Sequence, residues 1–250
     1  MKKALLVFSL IIIFIGCEKK TVSLVKITAD IITIDSAFNE KAAYKKLIAP
    51  YKNKMIAEIN SVISYAPKNI NRYDGKMQSS LGNLLADLCY ERANIIFKER
   101  TGKEIDFSMF NYGGIRASIS KGAVTNKNPF ELMPFENNLV VVELSGKKIM
   151  ELVDYFIKNK SAHPLSKNIE LLINTDASYQ LKINNQKFDP TENYFVLTSD
   201  YLQSGGDNMD FFKNPISLFK TDYKMRHAII DEFKSLDTLR ASVDNRVILQ

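Results

Sequence analysis

The segment that most constrains the fold is a run of β-branched and aromatic residues that ends at two adjacent glycines. Residues 105–110 (IDFSMF) have the composition of a buried β-strand, and Asn111-Tyr112-Gly113-Gly114-Ile115-Arg116 follows directly. Adjacent glycines indicate a sharp turn or a close approach of the backbone to another group, because neither has a Cβ atom. Arg116 adds a planar, permanently charged donor. Alone, the segment fits an anion-binding turn or an ordinary tight turn with a solvated arginine.

Three further segments accompany the glycine turn, one before it and two after it. They are Ser80 to Asp87 (SLGNLLAD), Pro134 to Asn138 (PFENN) and Thr198 to Asp207 (TSDYLQSGGD). In order and spacing, the four segments resemble the C-terminal domain of the 5′-nucleotidase family, from roughly Ser36 to the C-terminus. The resemblance implies an α+β fold with a mixed sheet, in the α-β-β-α layered arrangement of that domain.

The same resemblance implies how the loops bind a nucleotide or nucleoside. Phe135 and Tyr201 would enclose the base between two rings, where stacking contributes roughly 1–3 kcal/mol per base. Asn137 would hydrogen-bond the base edge, Asp207 would accept from ribose hydroxyls, and Arg116 would face the phosphate. Read without the resemblance, the alternative for each aromatic ring is packing in the core, and for Phe135 alone that alternative is favoured.

A second set of residues is expected to shape these loops or to approach the phosphate. Asn111, Gly113, Gly114, Gly205 and Gly206 are expected to form the loops. The family has two arginines, four residues apart, in the loop before the helix at Ser80. Arg72 and Lys76 have that spacing one residue out of register, and a lysine offers a point charge in place of a planar fork. We expect them to contact substrate, with solvated loop charges as the alternative.

The first residues have the pattern of an export signal. Lys2 and Lys3 precede an apolar run from Ala4 to Ile15, which is too short to span a membrane comfortably. The run ends at Gly16-Cys17, where the chain becomes polar. We predict a lipoprotein signal peptide over residues 1–16 and a lipid on Cys17, which would anchor an exported protein at a membrane, in the periplasm or on the cell surface. The alternative is an uncleaved anchor.

Hydrophobic periodicity and turn residues divide the rest of the chain. Residues 17–35 are expected to form a tether with a possible first strand, and residues 36–250 the 5′-nucleotidase C-terminal domain. The predicted helices run from Ser36 or Asn39 to about Ser64, from Ser79 or Ser80 to Gly102, from Lys147 to Asn159, and from Tyr223 to Phe233 with Asp222 as cap. The predicted strands cover residues 139–144, 169–173, 179–183, 194–198 and 246–249.

Composition argues against a nucleic-acid partner. The net charge is +6, and without the first 16 residues it is 32 − 28 = +4. The basic residues are scattered rather than grouped into one patch. Besides Cys17 there is one cysteine, Cys89, on the apolar side of a predicted helix, which indicates a buried thiol.

The chain has two histidines, and neither lies in a metal-binding motif. Hydrolysis in the 5′-nucleotidase family uses a two-metal centre whose ligands come from D-x-H, GD, GNH-D and H-x-H motifs of another domain. His163 is expected to be a solvated loop residue and His227 a surface residue of a helix. We therefore expect no cofactor on this chain, divalent metals on a partner, and no nucleotidase activity from the chain by itself.

Two functions follow from these expectations. The chain is either the nucleotide-binding half of a split 5′-nucleotidase, with a separate metallophosphoesterase subunit, or a non-catalytic nucleotide- or nucleoside-binding lipoprotein. The first predicts an interface on the long helix before residue 64 or beside the nucleotide loops. The two share one pocket, so the pocket residues do not separate them.

Overall fold

A computed structural model describes residues 23–35 and 38–250 of the chain. The predicted signal peptide, the lipidation site Cys17 and the candidate cap Ser36 lie outside the described residues. Residues 23–35 form neither helix nor strand, so the expected first strand does not form there. Among the helices of the described ranges, none has both the length and the apolar character needed to cross a membrane.

The chain divides into two units, residues 1–48 and 49–250. Helix α1 covers Ala42–Ile59, and strand β1 covers Val62–Ala66. The prediction that this helix extends to about Ser64 is wrong, because Val62 and the residues after it pair with a later strand instead of continuing the helix. Within the described structure, no residue of α1 is buried.

The second unit contains three sheets. Its later strands are β2 (Phe107–Ser108), β3 (Gly122–Thr125), β4 (Asn138–Ser145), β5 (Ile169–Ile173), β6 (Tyr179–Ile183), β7 (Gln186–Lys187), β8 (Asn193–Ser199), β9 (Ser217–Lys224) and β10 (Val247–Leu249). The main sheet has the order β2-β8-β4-β9, a second sheet has the order β10-β5-β6-β7, and β1 pairs with β3. Parallel and antiparallel pairs occur together, which confirms the predicted α+β class with mixed sheets.

Five further helices complete the second unit. They are α2 (Ser80–Thr101), α3 (Lys127–Leu132), α4 (Gly146–Asn159), α5 (Asp200–Gln203) and α6 (Met225–Ser235). The predicted start and end of α2 are confirmed, since the Ser79 hydroxyl accepts from the Gly82 amide at 3.0 Å and Gly102 adopts φ +73°. Asp222 does not cap α6, because it remains in β9 and the helix begins three residues later.

Strand β4 separates two buried clusters. Leu139 and Val141 belong to the cluster that contains the inner faces of α2 and α6. Val142 and Leu144 belong to the cluster that contains α4 and the second sheet. Because successive side chains of a strand point to opposite faces, the main sheet lies between these two apolar layers.

The SLGNLLAD segment has a structural role in the fold. Asn83 is buried, and its amide donates to the Gln78 side chain at 2.9 Å and to the Ser242 carbonyl at 3.1 Å. Asp87 accepts two bonds from the buried Arg246 guanidinium, at 3.0 and 2.9 Å. The segment therefore fastens α2 to the C-terminal part of the chain. On the same helix Cys89 is buried as predicted, and burial raises the pKa of its thiol.

Candidate functional site

A cleft of about 250 Å³ opens in the second unit. The residues that line it are Asn111, Gly113, Gly114, Arg116, Phe135, Asn137, Tyr201 and Asp207. The structure thus brings together in one place eight residues from three separate segments that the sequence singled out. Their assembly has a simple cause in the topology of the main sheet.

The three loops meet because three strand ends lie at one edge of the main sheet. Strands β2 and β8 are parallel, and the glycine turn and α5 follow their C-terminal ends. Strand β4 is antiparallel to β8 and begins at Asn138, the last residue of the PFENN segment, with Leu139 opposite Ser199. In an antiparallel pair the start of one strand lies beside the end of the other. All three loops therefore reach the same edge.

The glycine turn is shaped by the side chain of Asn111. A Cβ atom on Gly114 would lie 2.7 Å from Asn111 Oδ1, so only glycine leaves space for this side chain to fold over the turn. The Asn111 amide donates to Asp207 Oδ2 at 2.7 Å. Asn111 therefore braces the turn and also connects it to the third loop.

The third loop is built around the ring of Tyr201. A Cβ atom on Gly206 would lie 2.4 Å from two carbons of that ring, and Gly205 adopts φ +93°. The Tyr201 hydroxyl donates to Asp207 Oδ1 at 2.8 Å, and this hydrogen bond raises the pKa of the phenol. Asp207 is thus held by a donor on each oxygen, and an ionised carboxylate retains further acceptor positions.

The two aromatic rings lie at the rim of the cleft rather than in the core. Phe135 is 40% exposed and Tyr201 is 43% exposed, so packing in a core does not account for either ring. The Cζ atom of Arg116 lies 5.7 Å from the centroid of the Phe135 ring, and its Nη1 donates to the Gly113 carbonyl at 3.1 Å. Within residues 23–35 and 38–250, Arg116 forms no ion pair, which leaves its charge available to an anion.

Asn137 presents an unused amide to the cleft. Its backbone carbonyl accepts from the Met225 amide at 3.0 Å, which fixes the backbone at this position. Its side chain makes no hydrogen bond to any described part of the chain. One donor group and one acceptor therefore remain free for a flat ligand with polar edges.

Arg72 and Lys76 do not line the cleft. The Arg72 guanidinium carbon lies 4.5 Å from the centroid of the Tyr112 ring and 5.0 Å from that of Tyr73, so it stacks beside the glycine turn. Lys76 is exposed. Their expected contact with substrate stays a prediction.

His163 is a positioning residue that the sequence interpretation missed. It is only 6% exposed, so the expectation of a solvated loop residue is wrong. Its Nδ1 accepts from the Tyr112 amide at 3.1 Å, and its ring packs against Tyr155 and Phe156. Tyr155 in turn donates its hydroxyl to the Asp207 carbonyl at 2.9 Å. His163 and Tyr155 together therefore support two of the three loops.

The apolar surroundings of His163 keep the imidazole neutral. Burial lowers the pKa of His163 to about 4, and the nearby Asp207 carboxylate opposes that shift only in part. The small or apolar neighbours Ala162, Pro164 and Leu165 were the available signal for a buried position. Because Nδ1 accepts a hydrogen bond, the proton of the neutral ring lies on Nε2.

The described residues do not fit a two-metal centre. No group of three or more His, Cys, Asp or Glu side chains in the described ranges is arranged to bind a metal ion. His163 uses Nδ1 to accept a backbone hydrogen bond, and His227 is exposed on α6, as predicted. These residues can bind and orient an anionic, planar ligand, but they do not supply a metal-bound nucleophile.

Comparison with known proteins identifies the same family that the four sequence segments resemble. The sequence model of the 5′-nucleotidase C-terminal domain matches residues 56–214. The trifunctional nucleotide phosphoesterase protein YfkN of Bacillus subtilis is 28% identical over 212 residues, which cover 78% of this chain and 14% of that protein. Protein UshA of Escherichia coli is 26% identical over 200 residues, which cover 76% of this chain and 34% of UshA.

A solved structure has the same fold. The 5′-nucleotidase precursor of Thermus thermophilus matches with a TM-score of 0.66 and 22% identity, over 82% of this chain and 42% of that one. The chain therefore spans well under two thirds of the length of each of these three proteins.

His163 predicts a specific pH dependence of stability. The pKa of a histidine is about 6.5 in an unfolded chain and about 4 here, so the unfolded state binds more protons between these values. The free energy of unfolding should be highest above pH 6.5 and should fall as the pH approaches 4, by up to about 3 kcal/mol from this residue. Urea unfolding at several pH values measures the decrease.

The control for this prediction is His163→Asn, which retains an acceptor near the position of Nδ1 but does not titrate. The variant should remain folded and should lose this part of the pH dependence, while the part that comes from carboxylates remains. Equal pH dependence in the two proteins would show that His163 does not titrate as the geometry requires.

Proposed function

The chain belongs to the 5′-nucleotidase C-terminal domain family, and we propose that it is the nucleotide-binding half of a split 5′-nucleotidase. A separate metallophosphoesterase subunit would supply the metal centre for phosphoester hydrolysis. The observation that carries the proposal is the cleft itself, in which two half-exposed rings, the Arg116 guanidinium, the Asn137 amide and a braced carboxylate converge. Each of these groups suits one part of a nucleotide.

The proposed binding mode follows from the chemistry of the lining. A base would stack between Phe135 and Tyr201, with its polar edge on the Asn137 amide. The ribose hydroxyls would donate to Asp207, whose carboxylate is held in place before the ligand arrives. The phosphate would face Arg116, whose fork can donate two parallel hydrogen bonds.

The proposal assigns hydrolysis to a partner because the described residues of this chain do not fit a two-metal centre. The Arg and aromatic groups of the cleft position substrate, but they cannot generate a hydroxide. The partner's metals would act on the phosphate held near Arg116. We also propose that a lipid on Cys17 holds the pair at the membrane, either in the periplasm or on the cell surface.

Helix α1 offers a surface for such a partner. In the second unit, Tyr51 is 76% exposed and Met55 is 57% exposed, four residues apart on one face of the helix. Large apolar side chains in this position support docking on another protein. They do not contribute to the cleft, so partner binding and nucleotide binding are separable by mutation.

A second candidate function is a nucleotide- or nucleoside-binding lipoprotein without a catalytic partner. The observation in its favour is that the cleft is formed entirely within the second unit of this one chain. The two candidates differ in one measurable property, which is hydrolysis in the presence of a metallophosphoesterase.

The assignment of Arg116 to the phosphate predicts that its loss affects the binding of AMP and of adenosine differently. Arg116→Ala should weaken the binding of AMP by about tenfold or more, because a charge-assisted hydrogen bond contributes roughly 1.5–3 kcal/mol. The same substitution should leave the affinity for adenosine nearly unchanged. Phe135→Ala should weaken both ligands by about tenfold, because it removes stacking on the base. Calorimetric titration of AMP and adenosine into each variant gives the two ratios.

Arg100→Ala is the matched control for Arg116→Ala. Arg100 is another exposed arginine, on α2, and it does not line the cleft. Its loss should change neither affinity. If Arg116→Ala weakened AMP and adenosine equally, the assignment of Arg116 to the phosphate would be wrong.

The proposal that a partner docks on α1 predicts that a substitution on its apolar face reduces hydrolysis and leaves AMP binding unchanged. Once an exported metallophosphoesterase releases phosphate from AMP in the presence of this chain, Tyr51→Ser should reduce that release by roughly tenfold or more at limiting chain concentration. AMP binding should not change. Lys52→Ser, which alters the adjacent position outside the apolar face, is the control. Equal phosphate release with both variants would exclude this face of α1 as the docking surface.

A further inference from the structure

The loop that carries Phe135 is held by a buried arginine of another element. Arg226, at the start of α6, is only 6% exposed. Its Nη1 donates to the Met133 carbonyl at 3.2 Å, and its Nη2 forms an ion pair with Glu136. One contact lies two residues before Phe135 and the other lies directly after it.

The neighbours of Arg226 contact the same loop. The Met225 amide donates to the Asn137 carbonyl at 3.0 Å, and Lys224 forms a second ion pair with Glu136. The end of β9 and the start of α6 therefore fix the loop at three points. On its other side the loop is joined to the glycine turn, since the Arg116 amide donates to the Leu132 carbonyl at 2.9 Å.

These contacts matter because Phe135 has little packing of its own. Its ring is 40% exposed, so its position depends on the backbone that carries it. Arg226 also lies over the Phe130 ring, with its Cζ atom 4.5 Å from the centroid, which adds a cation–π contact. The fork of Arg226 is aimed at the loop.

The burial of Arg226 is not explained by stability. Its partner Glu136 has a side chain that is 59% exposed, so water screens the attraction and the ion pair contributes little to stability. Here the buried Nε of Arg226 also has no hydrogen-bond partner among the described residues, which adds a further cost. The contacts of Arg226 therefore contribute little to stability, but they hold the loop that carries Phe135 in one conformation.

We propose that Arg226, through Glu136 and the Met133 carbonyl, is a positioning residue that fixes Phe135 and Asn137 in the binding-competent arrangement of the cleft. The inference rests on the proposed function, in which these two residues contact the base. Arg226 does not line the cleft, so a ligand in the cleft would not touch it. It would therefore act on base recognition and not on the phosphate.

The test is a double-mutant cycle between Arg226 and Phe135. Arg226→Met replaces the guanidinium with an unbranched apolar side chain, which suits a buried position. Its binding of AMP and of adenosine should weaken by about tenfold, and equally for the two ligands. In the Phe135→Ala background the same substitution should weaken either affinity by clearly less than tenfold, because only the part that acts through Asn137 remains.

Arg92→Met provides a matched control that involves the same helix. Arg92 of α2 pairs with Glu232 of α6 at 2.6 Å, so its loss removes an Arg–Glu pair of α6 without touching the Phe135 loop. It should leave both affinities unchanged. If Arg226→Met weakened binding equally with and without Phe135, or if Arg92→Met had the same effect, Arg226 would act through general stability and the proposal would fail.

A second measurement does not depend on ligand binding. Hydrogen exchange of residues 135–138 in the ligand-free chain should become faster in Arg226→Met and should not change in Arg92→Met. Unchanged exchange in Arg226→Met would overturn the positioning role, whatever the chain binds. Faster exchange in a chain whose unmutated form binds neither AMP nor adenosine would leave the positioning role intact and overturn the proposed function.

Discussion

The antiparallel pairing of β4 with β8 is the interaction on which the candidate site depends. It places the start of β4 beside the end of β8, with Leu139 opposite Ser199, while the parallel strand β2 ends at the same edge. Residues far apart in sequence, such as Arg116 and Asp207, thereby reach one cleft. A shift of one residue in this register would also exchange the side chains of β4 that face the two apolar layers.

Within this frame, buried residues such as Ile115 and Leu202 anchor the loops in the core, and hydrogen bonds fix the parts of the loops that face the cleft. Asp207 accepts from Asn111 and Tyr201, while His163 and Arg226 act from behind the cleft on the backbones of the other two loops. Such supports leave the rings and the Arg116 charge exposed to a ligand and keep them in place before it binds. A preorganised site has less conformational entropy to lose on binding.

Local patterns predicted most of the elements, while the residues that line the cleft were identified through the resemblance to the 5′-nucleotidase family. Helix caps at Ser79 and Gly102 follow from short-range rules. Contacts between distant segments were not predictable in this way. The end of α1 depends on the pairing of β1 with β3, and the burial of His163 depends on packing against α4. Arg226 has the spacing of the buried Ile229 and Phe233, but an isolated charge on that face does not reveal its partner.

The most direct test of the account is calorimetric titration of AMP into the purified chain, at low ionic strength and without added metal. The account predicts a dissociation constant in the micromolar range or tighter, because every group assigned to the nucleotide belongs to this chain. Measurement at two temperatures guards against a binding enthalpy that happens to be near zero. No detectable heat at either temperature would contradict the claim that this cleft, by itself, is a nucleotide-binding site.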